Sequence, residues 1–311
     1  MTRPFSFLNR VWAASLAILQ LVRAWNVGMI MSAVYLGAFL AAGSSLDLTA
    51  GYLILCALAT GLVAASANVM NDLLDVESDR LNHADRPLVT GHISTQTGLW
   101  LAAILFISSI FIAFQLSSIH QALFGLASLL LISYNLWLSR LPLVGNLSIA
   151  FVVALSIPFG AIPVGEVGLG ALSLGEVAFQ LTPTVWIAAV FAFLTTFARE
   201  ISKDIEDVLG DGARGEHSIP VLLGIQKSSY IVRSITLFIV IFSVLPFLVY
   251  SFGGLYLLMM SVTNLFLLLP MSMPYGAGRE ASITSSTLKW AMMCGMVALA
   301  FSESIPLSHT P

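Results

Sequence analysis

The sequence predicts an all-α, polytopic membrane protein of about nine transmembrane helices. Three observations carry that prediction. Hydrophobic residues make up 58% of the 311 and charged residues only 9%, against roughly 25% charged residues in a soluble domain. The mean hydropathy is +0.94. Apolar stretches near or above the ~18–20 residues needed to cross a bilayer recur along the whole chain.

Taken in order, the elements begin with "MTRPFSFLNRVWAASLAILQLVRAW". Its start is basic, its apolar run is short and broken by Arg23, and it lacks a small-residue cleavage site. It reads as an uncleaved amphipathic lead-in rather than a signal peptide. Nine spans follow, near 24–43, 50–71, 96–115, 119–138, 144–163, 182–203, 228–250, 254–272 and 288–306. Most connectors are short. Two longer loops are acidic, and a third, "MSMPYGAGREASITSSTLK", is rich in Gly, Ser and Pro and reads as a connector. Cys56 and Cys294 lie inside apolar runs without metal-site spacing, as inert thiols do.

Charge orients the spans. With nine of them, the N-terminus and the loops after spans 2, 4, 6 and 8 share one side. Counting helix ends, that side takes all thirteen Lys and Arg, whereas the opposite loops hold only Asp47, Glu166, Glu176 and Glu303. The positive-inside bias therefore predicts an integral protein of the cell membrane with a cytoplasmic N-terminus and an outside C-terminus. Both acidic stretches then face the cytoplasm. One domain over 1–311 is expected, with residues 20–140 and 144–272 as a four-helix pseudo-repeat and the ninth helix as an extra.

That pseudo-repeat rests on the acidic stretches themselves. "NVMNDLLDVESDRLNHADRPLVTG" carries Asn68, Asp72, Asp75 and Asp79 at offsets 0, 4, 7 and 11. In "REISKDIEDVLGDGARGEHSIP", Glu200, Asp204, Asp207 and Asp211 repeat those offsets 132 residues later. At about 100° per residue, each set covers only about 60° of a helix and its C-terminal extension. Like charges at this spacing repel one another and oppose the helix dipole at a C-terminus. Eleven of the sixteen acids lie in these two stretches, so the cost is concentrated. A solvated charged loop explains one such stretch more readily than two with the same spacing on one membrane face.

Carboxylates with an amide oxygen suit a hard divalent cation, and Mg²⁺ is typically held by one or two carboxylates plus substrate phosphates. Two stripes facing each other at the mouth of an apolar bundle fit a substrate with a diphosphate head and a long hydrocarbon tail, a polyprenyl diphosphate. Metal and cations would neutralise the leaving diphosphate, and the dry bundle would protect a carbocation. The metal candidates are Asn68, Asp72, Asp75, Asp79, Asp204, Asp207 and Asp211, and these six aspartates are also the candidate catalytic residues. Arg80, Arg86, Lys203 and Arg214 are candidates for diphosphate oxygens, with Asn68 and with Asn71 as an orienter. Glu200 is either an ion-pair partner of Arg23 or Arg199, or the group that takes the acceptor proton. Glu77 and Glu206 point off the stripes. Asp85 in "ADRP" reads equally as a turn residue. Asn26 and Asn146 are expected in helix–helix hydrogen bonds or, alternatively, in contact with substrate, and His83, His92 and His217 as single hydrogen-bonding or surface groups.

"NDLLDVESD" (Asn71 to Asp79) has the N-D-x-x-D-x-x-x-D form of the UbiA-type intramembrane prenyltransferases, and "DRPLVTGHIS" resembles the same family. The second stretch supplies D-x-x-x-D as Asp207 and Asp211, with Glu200 upstream. Within the family, "REISKDIEDVLGD", "SIPVLLG", "LPLVGN" and "RAWN" are most similar to the archaeal digeranylgeranylglyceryl phosphate synthases. The resemblance implies nine helices around a central cavity. It also implies Mg²⁺-dependent transfer of a geranylgeranyl group from its diphosphate to the free hydroxyl of geranylgeranylglyceryl phosphate, a lipid-like phosphate acceptor, forming the second ether bond of an archaeal lipid. One departure is visible: where many members have Tyr-x-x-x-Lys, Tyr134 is followed by Leu138, and the nearest cation is Arg140. Tyr134 and Arg140 are therefore weaker diphosphate candidates.

Three other functions share parts of this pattern. Prenyl transfer to an aromatic acceptor of quinone or chlorophyll pathways shares the same motif chemistry. A cation-coupled transporter would use the acids near mid-membrane on broken helices, whereas these stand at helix ends. "DGARG" lacks the spacing and later aspartates of the CDP-alcohol phosphotransferases. No nucleic-acid partner is expected.

Overall fold

The computed structural model describes residues 5–42, 50–162, 181–213, 217–250, 252–274 and 276–301. Its helices are α1 (Phe5–Leu21), α2 (Ala24–Ala42), α3 (Ala50–Leu74), α4 (Val76–Asn82), α5 (Thr95–Ala113), α6 (Ser118–Leu136), α7 (Val144–Ala161) and α8 (Pro183–Ala213). After these come α9 (Ile219–Leu223), α10 (Ile225–Phe242), α11 (Leu245–Tyr250), α12 (Gly254–Leu268) and α13 (Arg279–Ala300). Short 3-10 turns occupy Leu138–Arg140 and Leu269–Ser272. Among the described residues, all regular structure is helical and nine segments are long and apolar enough to cross a membrane. This is an integral membrane protein.

Two segments depart from the expected pattern. The ninth span starts at Arg279 rather than 288, inside the expected connector, and its helix ends at Ala300 rather than 306. Its hydroxyls do not favour a loop because the helix satisfies them: Thr284 Oγ1 donates to Glu280 O at 2.9 Å and Thr287 Oγ1 to Thr284 O at 2.8 Å. Gly278, at φ +65°, starts the helix, and Glu280 sits favourably in its first turn. The seventh span, Ile225–Tyr250, divides into α10 and α11 just before Pro246, where the missing N–H and the ring interrupt the helical ladder. Tyr256 Oη donates to Ser243 O (2.7 Å) and Asn264 Nδ2 to Ser243 Oγ (2.9 Å) at that break. Backbone polarity freed inside a bilayer needs such partners.

Packing decides which spans are central. In α3 and α7, 56% of the spanning residues are buried, against 22% in α5 and α6, so α5 and α6 present most of their surface to lipid. α2 crosses α7 at two glycines: a Cβ at Gly37 would lie 1.9 Å from Ile157 O, and one at Gly160 1.9 Å from Val34 O. Small residues permit backbone-to-backbone approach where lipid offers no hydrophobic drive. Interhelical hydrogen bonds add to it, with Ser66 Oγ donating to Ala102 O (2.8 Å) between α3 and α5, and Asn135 Nδ2 to Ala67 O (3.1 Å) between α6 and α3. At the end away from the acidic stretches, His120 Nε2 meets Phe159 O at 3.1 Å and Ser117 N donates to Tyr52 Oη at 2.6 Å. That network ties α3, α6 and α7 together.

Adding a methyl group at Gly160 should destabilise the protein by about 1–3 kcal/mol, the usual cost of overpacking. The Gly160→Ala thermal midpoint in detergent should therefore fall clearly below wild type. Gly125 has open space around its Cβ position, so Gly125→Ala should match or exceed wild type.

Candidate active site

The two acidic stretches meet at one end of the bundle. α3 ends at Leu74, the chain bends at Asp75, and α4 carries Asp79 onward. Continuity survives the bend, because Asp75 N donates to Asn71 O and Asp79 N to Asp75 O, both at 2.9 Å. The second stretch differs: all four of its stripe residues ride on the unbroken α8. α4 lies directly on α8. A Cβ at Gly210 would come within 2.2 Å of the Asn82 amide, so glycine is what allows the contact. There Asn82 Nδ2 donates to Asp207 O at 3.4 Å, and His83 Nε2 lies 2.9 Å from Asp207 Oδ1.

The candidate carboxylates have specific partners. Arg86 Nη1 stands 2.5 Å from Asp79 Oδ2 and 3.2 Å from Asp72 Oδ1, so one guanidinium bridges two buried acids. Arg23 Nη2 takes the same Asp72 Oδ1 at 2.7 Å. Asn71 Nδ2 donates to Asp75 Oδ2 at 2.5 Å and Asn146 Nδ2 to Asp204 Oδ2 at 2.8 Å. Glu200 accepts from Lys203 Nζ (2.7 Å) and Arg199 Nη1 (3.0 Å). Asp211 is buried. Burial pushes the Asp79 carboxyl up to about 6 even though Arg86 pulls it down. The bond to Asp207 raises His83 above the ordinary imidazole value. No group of three or more metal-binding side chains has already converged among the described residues.

Other candidates are placed as follows. Asn68, Asn71, Tyr134, Glu200 and Lys203 line an apolar cavity of about 200 Å³. It runs inward between α2, α3, α6, α7, α8, α12 and α13, past side chains such as Leu131, Phe191, Met260 and Met296. Asn68 Nδ2 also donates to Val22 O at 3.0 Å. Arg80 is drawn away from the mouth, since it is exposed and pairs with exposed Glu77 at 3.1 Å. Arg140 is exposed on its 3-10 turn, and Asp85 is exposed in the loop after α4. Arg214 lies outside the described residues.

Sequence reasoning did not include Arg23 among the site residues. It lines the cavity, pairs with Asp72, and adopts φ +53° in the turn between α1 and α2. A non-glycine residue there costs roughly 1–2 kcal/mol, and the bonds from Asn68 to Val22 O and from Arg23 to Asp72 hold the turn to α3. The signal was present as a lone cation interrupting an apolar run, since intramembrane charge is functional by default. Asn146 was expected in a helix–helix hydrogen bond and makes one to Asp204, a candidate ligand.

Residues 30–293 match the UbiA prenyltransferase family. The chain belongs to that family. As a UbiA prenyltransferase it is similar to digeranylgeranylglyceryl phosphate synthases of several archaea. It is 30% identical to that of Methanococcoides burtonii over 90% of this chain and 97% of the relative. Identity is 34% to that of Thermococcus gammatolerans, over 74% of this chain and 77% of the relative. The fold is shared with an apo UbiA homolog from Aeropyrum pernix K1 (TM-score 0.69, 23% identity, 89% and 94% of the two chains). It is also shared with a UbiA homolog from Archaeoglobus fulgidus bound to DMAPP and Mg²⁺ (TM-score 0.60, 16% identity, 91% and 98%).

In this UbiA prenyltransferase, the α4–α8 contact sets the separation of the two acidic stretches. Gly210→Val should force the Asn82 amide out and part them. Misplacement by about 1 Å costs on the order of 100-fold in rate, so the variant's prenyl-transfer rate in detergent should fall by about that much while its circular dichroism stays helical.

Proposed function

We propose that this enzyme transfers a geranylgeranyl group from geranylgeranyl diphosphate to the free hydroxyl of geranylgeranylglyceryl phosphate, using Mg²⁺. The product would carry the second ether bond of an archaeal membrane lipid. The observation that carries this reading is an apolar cavity whose mouth is flanked by two facing acidic stretches. The acceptor is drawn from the relatives at 30–35% identity named digeranylgeranylglyceryl phosphate synthase. The mouth would face the cytoplasm, a reading supported by the segregation of all thirteen Lys and Arg to that side of the sequence.

The donor set fits the metal. It is all oxygen, from carboxylates and the Asn68 amide, as a hard dication prefers. Asp72 and Asp79 already converge on one cationic group, the Arg86 guanidinium. Asp72, Asp75, Asp79 and Asn68 on one side, with Asp204, Asp207 and Asp211 on the other, would hold Mg²⁺. When bound, the metal supplies charge neutralisation of the diphosphate leaving group.

The protein's own groups do the remaining work. Arg23, Arg199 and Lys203 line the cavity and present N–H donors to the diphosphate oxygens. The apolar walls hold the prenyl tail and exclude water, so the allylic C1–O bond breaks with its electron pair leaving on the diphosphate, away from competing nucleophiles. The acceptor hydroxyl oxygen bonds to C1 and its proton departs to a base. Glu200 stands on the cavity wall for that step, positioned by Arg199 and Lys203.

Purified protein should consume geranylgeranyl diphosphate with geranylgeranylglyceryl phosphate as acceptor and lose that activity in EDTA. Turnover only with a hydroxybenzoate or naphthoate would sink the reading. Asp75→Ala and Asp207→Ala should each lower kcat by on the order of 100-fold or more, beyond what loss of a supporting group costs. Wild-type rates in both variants would refute the metal assignment.

A further inference from the structure

A second recess adjoins the cavity mouth. It is an open groove of about 510 Å³ between the end of α1, the start of α2, the loop after α4, α8 and α13. Its charged walls are Arg23, Arg86, Arg199, Lys203 and Lys289, with Glu206 and Asp207 as the acids, and α13 adds the hydroxyls of Ser282, Ser285 and Ser286. Four of the five cations are already committed. Arg23 and Arg86 serve Asp72 and Asp79, and Arg199 and Lys203 serve Glu200.

Lys289 is the exception. It is half-buried, makes no ion pair or hydrogen bond among the described residues, and has Arg199, Lys203 and Arg23 as its charged neighbours, all positive. Arg199 Nε is likewise buried without a partner. A partly desolvated ammonium among like charges is costly unless an anion joins it. A phosphate monoester complements this charge pattern. It carries up to two negative charges and accepts hydrogen bonds at three oxygens, and an ammonium suits it as a point charge.

Position narrows the ligand further. Arg23, Asn26, Arg199 and Lys203 line both the groove and the cavity, so an anion in the groove is one side chain away from the transfer site. At the groove's outer edge Trp25 meets Trp290 edge-on at 5.7 Å, and the two rings are each about half exposed (50% and 46%). Such an aromatic pair suits the membrane interface, where a lipid's head and chain part company.

We propose that this groove seats the phosphate monoester of the acceptor, with Lys289 as the positioning cation and Ser282 and Ser286 as hydroxyl donors. This rests on the reading that the acceptor is a phosphate-bearing lipid alcohol. It assigns that phosphate a place distinct from the diphosphate of the prenyl donor.

The test uses the full-length enzyme in phospholipid-free non-ionic detergent, so that lipid headgroups do not compete. KM is measured for both substrates in wild type, Lys289→Met, Lys289→Arg and Ser286→Asp. Losing one charged contact is worth roughly 10- to 100-fold, so Lys289→Met should raise the KM for geranylgeranylglyceryl phosphate by about that factor. The KM for geranylgeranyl diphosphate should not move. Lys289→Arg should recover most of the loss, and Ser286→Asp, on an exposed position, should mimic it by repulsion. The wild-type preference for the phosphorylated acceptor over phosphate-free geranylgeranylglycerol should shrink in Lys289→Met. An unchanged acceptor KM, or equal rises in both KM values, overturns the phosphate seat and leaves the proposed function standing. A wild-type enzyme that ignores every phosphate-bearing acceptor removes the proposed function and the seat with it.

Discussion

Carboxylates buried at the mouth of an apolar bundle must be neutralised, and this fold is arranged around doing so. An isolated buried charge costs several kcal/mol, and removing one partner of a buried pair typically costs about 3–5 kcal/mol. Asp72 and Asp79 are both buried, and a single guanidinium from Arg86 reaches both. Arg86 is delivered by the loop after α4, and Arg23 by the turn before α2. The strained backbone at Arg23 is therefore held in place by the charge it supplies. Even so, burial outweighs the cation at Asp79, whose carboxyl stays well above the usual range.

The same constraint explains why the two stretches, alike in spacing, differ in shape. The first leaves its helix at Asp75 and starts again as α4, which turns the chain so that Asn82 and His83 reach α8. The second stays helical through all four acids: Asn146 reaches it from α7 and His83 from the end of α4, while Arg199 and Lys203 pair with Glu200 from α8 itself. One stretch bends to bring partners and the other stays straight to receive them. Gly210 lets the two touch.

The membrane class, the spans and the acidic stripes were legible in the sequence because each follows from a period or a length. Apolar runs fix spans, and offsets of four, three and four fix a helical face. The start of α13 was misread because Ser and Thr look like loop residues until their own helix satisfies them. In the sequence Arg23 interrupts an apolar run and is a candidate partner of Glu200, yet its pairing with Asp72, 49 positions away, is a tertiary fact. The separation of Arg80 from Arg86 is tertiary too. Both are cations close behind an aspartate, but one points to solvent beside Glu77 and the other closes on Asp72 and Asp79. Spacing alone does not distinguish them, because Arg80 sits on α4 and Arg86 in the loop that folds back.

The cavity wall resolves a difficulty that the acidic stretches raise. A diphosphate approaching six aspartates is repelled unless the charges are kept apart. They are. Among the described residues the charged groups lining the cavity are Arg23, Arg199, Lys203 and Glu200, and Glu200 is held by two of those cations. None of the six aspartates lines the cavity, whereas three cations do, so an anion entering it meets positive charge from the wall. Neither Leu138, buried in its turn, nor Arg140, exposed on the same turn, supplies a cation from the end of α6. The inward positive charge comes instead from the turn before α2 and from α8.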